Sequence, residues 1–188
     1  MDDDRSLVEA VLARRPRAFE TFVARHQRLV WHLVYRMVHH EQDTEELAQD
    51  VFMRAYRYLP SFRFESALST WLGQIAFSVA GRHLQKKRIP TVDMHDEHGA
   101  DRLADIAADD FDLEHAVIAF ELGGQVHRAM ERLAPLQRTL VSLYYLEELS
   151  IGEIAAMAGI PEGTAKSYLF RARAQLRQHL QPEAEDAA

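Results

Sequence analysis

The sequence predicts an all-α fold in which two small helical domains are joined by a flexible acidic linker. Apolar residues recur at a period near 3.6 along both flanking blocks, which is the pattern of amphipathic helices. No stretch of the sequence shows the alternation of a half-buried strand, and no repeat of fixed period occurs. Acidic residues are concentrated in the middle, where residues 91–121 hold ten acidic side chains and one basic side chain. The net charge of −7 therefore reflects the linker and says little about the flanking domains.

The first domain is predicted to span residues 1–88 as a compact helical bundle. Its first strongly periodic helix covers residues 17–37. The next helix is expected to have Asp43 as its N-cap, with Glu46 completing a capping box, and to end at Pro60. Its inner face is predicted to carry Leu47, Val51, Phe52, Ala55, Tyr56 and Leu59.

The last part of this domain is predicted to be a loop followed by a basic helix. Residues 61–69 predict a loop or broken helix, and residues 70–88 predict the helix. The basic side chains near the end of that helix are Arg82, Lys86, Lys87 and Arg88.

The second domain is predicted to span residues 114–181 and to be helical throughout. It follows residues 89–113, whose weak periodicity and dense aspartates indicate a flexible, self-repelling linker. Helices are expected over residues 114–133 and 135–146, followed by a pair of shorter helices. The tail, residues 182–188, is expected to be disordered.

That helix pair, residues 150–173, has the pattern of a helix-turn-helix. Ser150 and Glu153 form a capping box at the start of the first helix. Gly159 suits the left-handed position that ends a helix, and Pro161 suits the first turn of the next. A short turn followed by a basic helix favours docking in the major groove of DNA, whereas the alternative is an ordinary αα-hairpin.

The second helix of the pair is predicted to have a packed side and an exposed side. The side chains expected to pack are Ala165, Leu169 and Leu176. The exposed side chains that could enter a groove are Lys166, Ser167, Phe170 and Arg171. Further basic side chains of this helix are Arg173 and Arg177.

The acidic start of the helix after Asp43 has two interpretations. Asp43, Glu45 and Glu46 would interact favourably with the helix dipole, but Asp50 lies two turns further on. A face that combines Glu46 and Asp50 with Gln49 and Met53 could instead dock a basic partner. Composition alone leaves both interpretations open.

The segment from Phe62 to Trp71 mixes aromatic, basic and hydroxyl side chains before a basic helix end. Aromatic rings beside arginines are used to stack the bases of single-stranded DNA, at about 1–3 kcal/mol per base. The alternative is that the aromatic rings only fill the core, and Trp71 is expected to do part of each.

Several classes of function are not supported. The chain has no cysteine, which excludes disulfides, thiolate metal sites and cysteine nucleophiles. The ten histidines include His95 and His98 beside acidic residues, but these lie in the linker and predict no metal site. No catalytic or cofactor-binding motif occurs, so we expect no enzyme activity, no cofactor and no small-molecule substrate. The absence of a signal peptide and of a long apolar run indicates a soluble, cytoplasmic protein with no direct membrane insertion.

With both domains considered, the chain resembles the extracytoplasmic-function (ECF, group 4) sigma factors of bacterial RNA polymerase. The segment DTEELAQDVFMRAYRYLPSF is similar to region 2.2 of that family. FRFESALSTWLGQIAFSVAGRHLQKKR is similar to regions 2.3 and 2.4, and LAPLQRTLVSLYYLEELSIGEIAAMAGIPEGTAKSYLFRARAQL is similar to region 4. The family often has Gly where this chain has Phe64, Asn near Ser78, and Arg at Tyr168.

The resemblance implies roles for particular residues. Polymerase binding, to the β′ clamp helices, is implied for Asp43, Glu46, Gln49, Asp50 and Met53. Capture of a base flipped from the −10 element, and bracing of the bubble edge, are implied for Phe62, Arg63, Phe64, Glu65, Ser66, Ser69, Trp71 and Ser78. Phosphate contacts are implied for Arg82, Lys86, Lys87 and Arg88. Contacts to the −35 element are implied for Lys166, Ser167, Phe170 and Arg171, with Arg173 and Arg177 near the DNA backbone or the β flap.

The function implied is promoter-specific transcription initiation with core RNA polymerase, and an anti-sigma factor is an expected partner. A helix-turn-helix regulator that binds duplex operator DNA alone is the alternative. A purely protein-binding adaptor is a second alternative. The regulator leaves the acidic face and the aromatic loop unexplained, and reconstituted transcription with core polymerase would distinguish all three.

Overall fold

The structure, a computed structural model, describes residues 2–87 and 124–180. All regular elements in these residues are helices, which confirms the predicted fold class. The predictions that lie outside the described residues are the linker at residues 89–113, the helix start at Glu114, the placement of Arg88 and the tail at residues 182–188. The chain divides into two compact units, which are Met1–Ile89 with Ala156–Gly159 and Pro90–Ala155 with Ile160–Ala188.

The N-terminal helices form a bundle around one core. They are α1 (Asp2–Leu12), α2 (Ala18–Val38), α3 (Glu41–Tyr58), a 3₁₀ turn (Leu59–Ser61) and α4 (Leu68–Lys86). Helix α2 packs on α1, α3 and α4, and α3 also packs on α4. Buried side chains at the centre of this bundle include Phe22, Val30, Leu33, Val51, Leu72, Ala76 and Leu84.

Helix α3 begins earlier than predicted, and Asp43 is not its N-cap. The cap is His40, whose Nδ1 accepts a hydrogen bond from the backbone N–H of Asp43 at 3.3 Å. The capping-box pattern misled because the helix begins at Glu41, two residues before Asp43, so the N–H of Asp43 is itself a first-turn donor that the His40 imidazole satisfies. Tyr56 was predicted to lie on the inner face, but it is 44% exposed and packs only its ring edge on Phe19, with ring centroids 4.9 Å apart.

The C-terminal helices are α5 (Gly124–Glu131), α6 (Pro135–Tyr145), α7 (Ile151–Ala158) and α8 (Glu162–Leu180). Helices α5 and α6 both pack against α8. The packed side of α8 contains the predicted Ala165, Leu169 and Leu176, and all three are buried. None of the helices in residues 2–87 and 124–180 combines the length and apolar character that a membrane span requires.

Candidate functional site

The start of α7 is fixed by the predicted capping box. The hydroxyl of Ser150 donates to the Glu153 carboxylate at 2.6 Å, and the backbone N–H of Ser150 donates to the same carboxylate at 3.0 Å. In return, the backbone N–H of Glu153 donates to the Ser150 hydroxyl oxygen at 3.3 Å. These hydrogen bonds, from the hydroxyl first and then from the backbone, lower the pKa of Glu153 below its usual value.

The turn between α7 and α8 has the geometry that the sequence predicts. Gly159 has a φ of 67°, in the left-handed region that glycine adopts without strain. Its N–H donates to the Ala156 carbonyl at 3.3 Å, and the N–H of Ile160 donates to the Ala155 carbonyl at 3.0 Å. This pair of bonds is a Schellman motif, which satisfies the free carbonyls at the end of α7. Pro161 directly precedes α8, and its carbonyl accepts from the N–H of Ala165 at 3.0 Å.

The predicted row of exposed side chains on α8 is partly wrong. Lys166 is exposed, and Phe170, Arg171 and Arg173 are partly exposed. Ser167 is instead buried, and its hydroxyl donates to the carbonyl of Gly163 at 2.9 Å. A serine inside a helix often bonds back to the carbonyl four residues earlier, and this leaves its hydroxyl hydrogen facing the helix rather than a groove.

Tyr168 is a core residue that the sequence analysis did not assign. It is 1% exposed and is among the largest fully buried side chains. The Arg171 guanidinium lies 5.1 Å from the centroid of the Tyr168 ring, which holds the arginine stem against the helix. The buried tyrosine therefore supports a residue of the candidate groove surface.

The candidate partner-binding face on α3 exposes Glu46, Gln49 and Met53, and Met53 is 62% exposed. Asp50 is partly exposed and pairs with Arg54 one turn later. Nε of Arg54 lies 3.0 Å from both carboxylate oxygens of Asp50. The face is therefore a mixed acidic and apolar surface, in which one of the carboxylates is already held in place by an arginine.

Asp43 is held differently from the rest of that face. Its carboxylate accepts from Nζ of Lys87 at 2.5 Å and lies 3.4 Å from His83 Nε2 and from His40 Nδ1. The hydrogen bond from Lys87 is the main reason that the pKa of Asp43 is lowered. Only 19% of its side chain is exposed, so the structure places Asp43 in an ion-pair cluster between α3 and the end of α4.

Residues 62–71 bring three aromatic rings together at the surface. The ring centroids of Phe62 and Phe64 are 4.7 Å apart, and those of Phe62 and Trp71 are 5.0 Å apart. All three side chains are partly exposed, as expected for Trp71. Phe64 has a φ of 58°, which is unusual for a bulky residue and costs about 1–2 kcal/mol. Among the hydrophilic candidates of this loop, Arg63, Glu65 and Ser66 are exposed and Ser69 is partly exposed.

The exposed polar side chains on α4 are partly engaged with one another. Arg82 donates from its guanidinium to the Ser78 hydroxyl at 2.7 Å and to the Ser78 carbonyl at 3.3 Å. Lys86 is exposed near the end of the helix, and Lys87 is paired with Asp43. The candidate −10 residues therefore lie along the loop and α4, and three of them, Ser78, Arg82 and Lys87, already make internal contacts.

Two family models match the chain in the order that these surfaces occupy. Sigma-70 region 2 matches residues 22–89, and sigma-70 region 4 matches residues 123–176. The chain is 36% identical over 184 residues to the RNA polymerase sigma-H factor of Pseudomonas aeruginosa, which covers 96% of this chain and 95% of that protein. This chain is an ECF sigma factor of the sigma-70 family.

Other relatives of this sigma factor agree with that assignment. The chain is 37% identical over 186 residues to the ECF RNA polymerase sigma-E factor of Escherichia coli, covering 95% of each protein. It is 32% identical over 166 residues to the ECF RNA polymerase sigma factor SigW of Bacillus subtilis, covering 87% of this chain and 89% of that one.

Two solved structures share the fold of this sigma factor. CnrH in complex with the cytosolic domain of CnrY has a TM-score of 0.63 at 24% identity, over 93% of this chain and 95% of that chain. The sigma factor RpoE in complex with the anti-sigma factor NepR, from Bartonella quintana, has a TM-score of 0.55 at 22% identity, over 89% of this chain and 99% of that chain.

Most candidate residues of this sigma factor lie inside the two matched regions, whereas Arg177 lies just beyond the second and Arg5 lies before the first. The guanidinium carbon of Arg5, in α1, lies 4.6 Å from the centroid of the Phe64 ring. Sequence analysis missed Arg5 because nothing in the linear pattern places residue 5 beside residue 64. The packing of α1 on α2 and on the 3₁₀ turn Leu59–Ser61 brings the two together.

Proposed function

We propose that this sigma factor binds core RNA polymerase and directs promoter-specific initiation, with region 4 reading the −35 duplex and region 2 capturing the melted −10 strand. The observation that carries the proposal is the presence, in one chain, of both sigma-70 regions with groups of fitting chemistry at the surface of each. The proposal assigns no catalytic step to this chain, because RNA synthesis belongs to the polymerase.

In region 4, the exposed side of α8 fits the major groove. Lys166 and Arg171 can donate to base edges or to phosphates, and Phe170 can contact a thymine methyl group. Arg173, one turn beyond Phe170, is placed for backbone contacts, and Arg177 for the backbone or the β flap of the polymerase. A good bidentate contact from a side chain to a base discriminates by about 1–3 kcal/mol.

In region 2, the surface of the loop and α4 fits an unpaired strand. The rings of Phe62, Phe64 and Trp71 offer stacking faces, while Arg82 and Lys86 supply positive charge for phosphates. These stacking contacts exist only when the DNA is open. Binding to them therefore shifts the duplex towards the melted state.

The α3 face is proposed to bind the β′ clamp helices of the polymerase. The exposed carboxylate of Glu46 and the partly exposed carboxylate of Asp50, which is paired with Arg54, complement a basic helix, and the exposed Met53 adds an apolar contact. Asp43, which belongs to the predicted polymerase-binding set, is proposed to act at the edge of this face, because its carboxylate is engaged with Lys87.

Two DNA-reading regions in one chain also reinforce each other, because binding of one region raises the effective concentration of the other at a correctly spaced element.

Polymerase binding can be tested with tagged core polymerase in a pull-down. The double variant Glu46→Lys with Asp50→Lys is expected to lose association with the core, because charge repulsion replaces complementarity. The matched control is Glu9→Lys with Glu20→Lys, which makes the same charge change at exposed positions of α1 and α2. Equal retention of both double variants would remove the α3 face from the proposal, and circular dichroism checks that both remain helical.

The purified chain and core polymerase also distinguish a sigma factor from a regulator that acts alone. A regulator that acts alone would bind a duplex operator with high affinity in the absence of polymerase. It would repress transcription without forming a complex with the polymerase. The sigma proposal requires that specific binding depends on the core. We also propose that this chain acts in the cytoplasm and is controlled by an anti-sigma factor, since RpoE, which shares its fold, has been solved in complex with the anti-sigma factor NepR.

A further inference from the structure

We infer that Arg5 of α1 belongs to the single-stranded DNA site, where its guanidinium and the Phe64 ring together hold an unpaired base. This inference rests on the proposed function of the loop, and it extends the site to a helix whose residues lie before the region 2 match at residues 22–89. The partner is an unpaired nucleotide, recognised by its flat π face and its phosphate.

The geometry forms a row of neighbouring planar groups, in which Phe62 is tilted by 53° from Phe64 and by 38° from Trp71. The Arg5 guanidinium carbon lies 4.6 Å from the Phe64 ring centroid, and Phe64 is followed by Phe62 at 4.7 Å and Trp71 at 5.0 Å from Phe62. The row runs from α1 through the loop to α4. Arg5 is exposed beside Phe64, so an unpaired base that binds at this end of the row would contact the guanidinium.

Arg5 is held in position by the packing of its helix. Leu7, Val8 and Val11 are buried in the bundle core. At the N-terminal end of α1, Asp3 and Asp4 pair with Arg25 of α2 at 2.7 and 3.5 Å. The guanidinium is therefore carried by a docked helix, which makes it suitable for defined stacking with an aromatic ring.

The backbone of Phe64 provides an independent reason to assign a role to its ring. A φ of 58° is strained for a bulky residue, whereas glycine would adopt it without cost. Strained positions concentrate where a side chain is used, and the structure must hold them there. Arg5 and Phe62 both contact this ring and help to hold it in place.

The chemistry of the row selects unpaired over paired DNA. Arginine can stack its planar guanidinium on a base and also donate to a phosphate, whereas lysine keeps only the point charge. A base inside a duplex has both faces covered and cannot enter the row. The contribution of Arg5 should therefore appear with melted DNA and be small with duplex DNA.

The test uses the full chain bound to core polymerase and a DNA duplex with a pre-melted bubble. The fluorescent base 2-aminopurine is placed at each unpaired position in turn, and affinity and fluorescence are measured. Arg5→Ala is expected to weaken bubble binding by about fivefold and to change the 2-aminopurine signal at one position. Arg5→Lys should be intermediate, because it preserves charge without the planar stack.

The matched control is Arg15→Ala, which removes the same charge from an exposed position just after α1. It should leave bubble binding unchanged, and none of these variants should alter binding to the fully paired duplex. If Arg5→Ala and Arg15→Ala have equal effects on the bubble, Arg5 acts only through net charge and the inference is overturned.

Two further variants keep this result separate from the proposed function. Trp71→Ala and Phe62→Ala should weaken bubble binding if the loop captures a base. If they do so while Arg5→Ala has no effect, only the inference about Arg5 fails. If none of the variants affects the bubble, the proposed role of the loop fails as well. In a double-mutant cycle, Arg5→Ala combined with Phe64→Ala should be no weaker than Phe64→Ala alone.

Discussion

The carboxylate of Asp43 in α3 accepts a hydrogen bond from Nζ of Lys87 at the end of α4, at 2.5 Å. His83 Nε2 and His40 Nδ1 lie 3.4 Å from the same carboxylate, so one lysine and two imidazoles lie beside one acid. This cluster joins the start of the proposed polymerase-binding helix to the end of the proposed DNA-binding helix. It also means that a lysine proposed to contact phosphate has an internal anionic partner.

Replacing Asp43 by Asn should free Lys87 for DNA. We expect the holoenzyme with Asp43→Asn to bind duplex DNA more tightly and with a steeper dependence on salt, because one more cation is available for phosphate. Glu45→Gln makes the same charge change at an exposed position two residues away, and it should have a smaller effect. An affinity gain that is equal in the two variants would mean that Lys87 is not withheld by Asp43.

The same carboxylate makes a contribution to the free energy of unfolding that is lost on acidification. Because the folded-state pKa of Asp43 lies below its usual 3.8, its contribution is present above that value and is lost as the pH falls through the folded pKa. Asp43→Asn should therefore reduce the loss of stability on strong acidification. Chemical denaturation of both proteins at several acidic pH values measures this difference.

His26 in α2 predicts an acid sensitivity at milder pH. Its side chain is 8% exposed, and its Nε2 makes no hydrogen bond within the described residues. Burial lowers the pKa of His26, although the nearby Asp4 acts in the opposite direction and Arg25 in the same direction. As the pH falls below about 6.5, the unfolded chain binds a proton before the folded chain does, and the free energy of unfolding decreases.

Replacing His26 by Leu should therefore flatten the stability profile between pH 7 and the folded pKa of the histidine. The measurement is urea denaturation across this range, with His179→Leu as the control at an exposed position of α8. A profile for His26→Leu with the same acid limb as the parent protein would assign the acid sensitivity to other groups.

The capping box of α7 should make a measurable contribution to region 4. Ser150→Ala removes the hydroxyl that both donates to Glu153 and accepts from its backbone N–H. Loss of such a cap costs about 1 kcal/mol, so amide hydrogen exchange in α7 should speed up by roughly fivefold. Ser6→Ala, at an exposed position of α1, serves as the control and should leave exchange in α7 unchanged.

The exposed side of α8 predicts promoter-dependent effects on initiation. Lys166→Ala and Arg171→Ala should reduce transcription from promoters that depend on the −35 element, by about tenfold if each loses a base contact. Arg132→Ala removes the same charge at an exposed position after α5 and should have little effect. Ser167→Ala should also have little effect, since the Ser167 hydroxyl is bonded to Gly163. Strong loss in Ser167→Ala would show that this hydroxyl turns towards the DNA.

The features that the sequence predicts correctly depend on residues that are neighbours along the chain. The helices, the Ser150–Glu153 cap and the left-handed Gly159 follow from propensity, short-range hydrogen bonds and backbone sterics, which a sequence displays directly. Helical spacing also predicts the packed residues of α8, because the 3.6-residue period of a helix places these apolar residues on one face, and that face is buried.

The features that sequence analysis missed depend on an unusual N-cap, on a back-bond within a helix or on distant contacts. The helix begins at Glu41, so His40 rather than Asp43 precedes it, and histidine is not among the residues by which a sequence pattern usually reveals an N-cap. Burial of Ser167 depends on a back-bond within the helix, and burial of Tyr168 depends on helices that pack from elsewhere in the chain. The Arg5–Phe64 contact joins residues far apart in sequence, and only tertiary packing creates it.

The central claim is that this chain gives core RNA polymerase the ability to start transcription at particular sites. The most direct measurement is in vitro transcription by purified core polymerase on a pool of genomic fragments, with and without the chain, followed by sequencing of RNA 5′ ends. The account predicts new 5′ ends that share two upstream motifs at constant spacing and that disappear with the Glu46→Lys, Asp50→Lys variant. The same 5′ ends with and without the chain, or starts without a common motif, would contradict it.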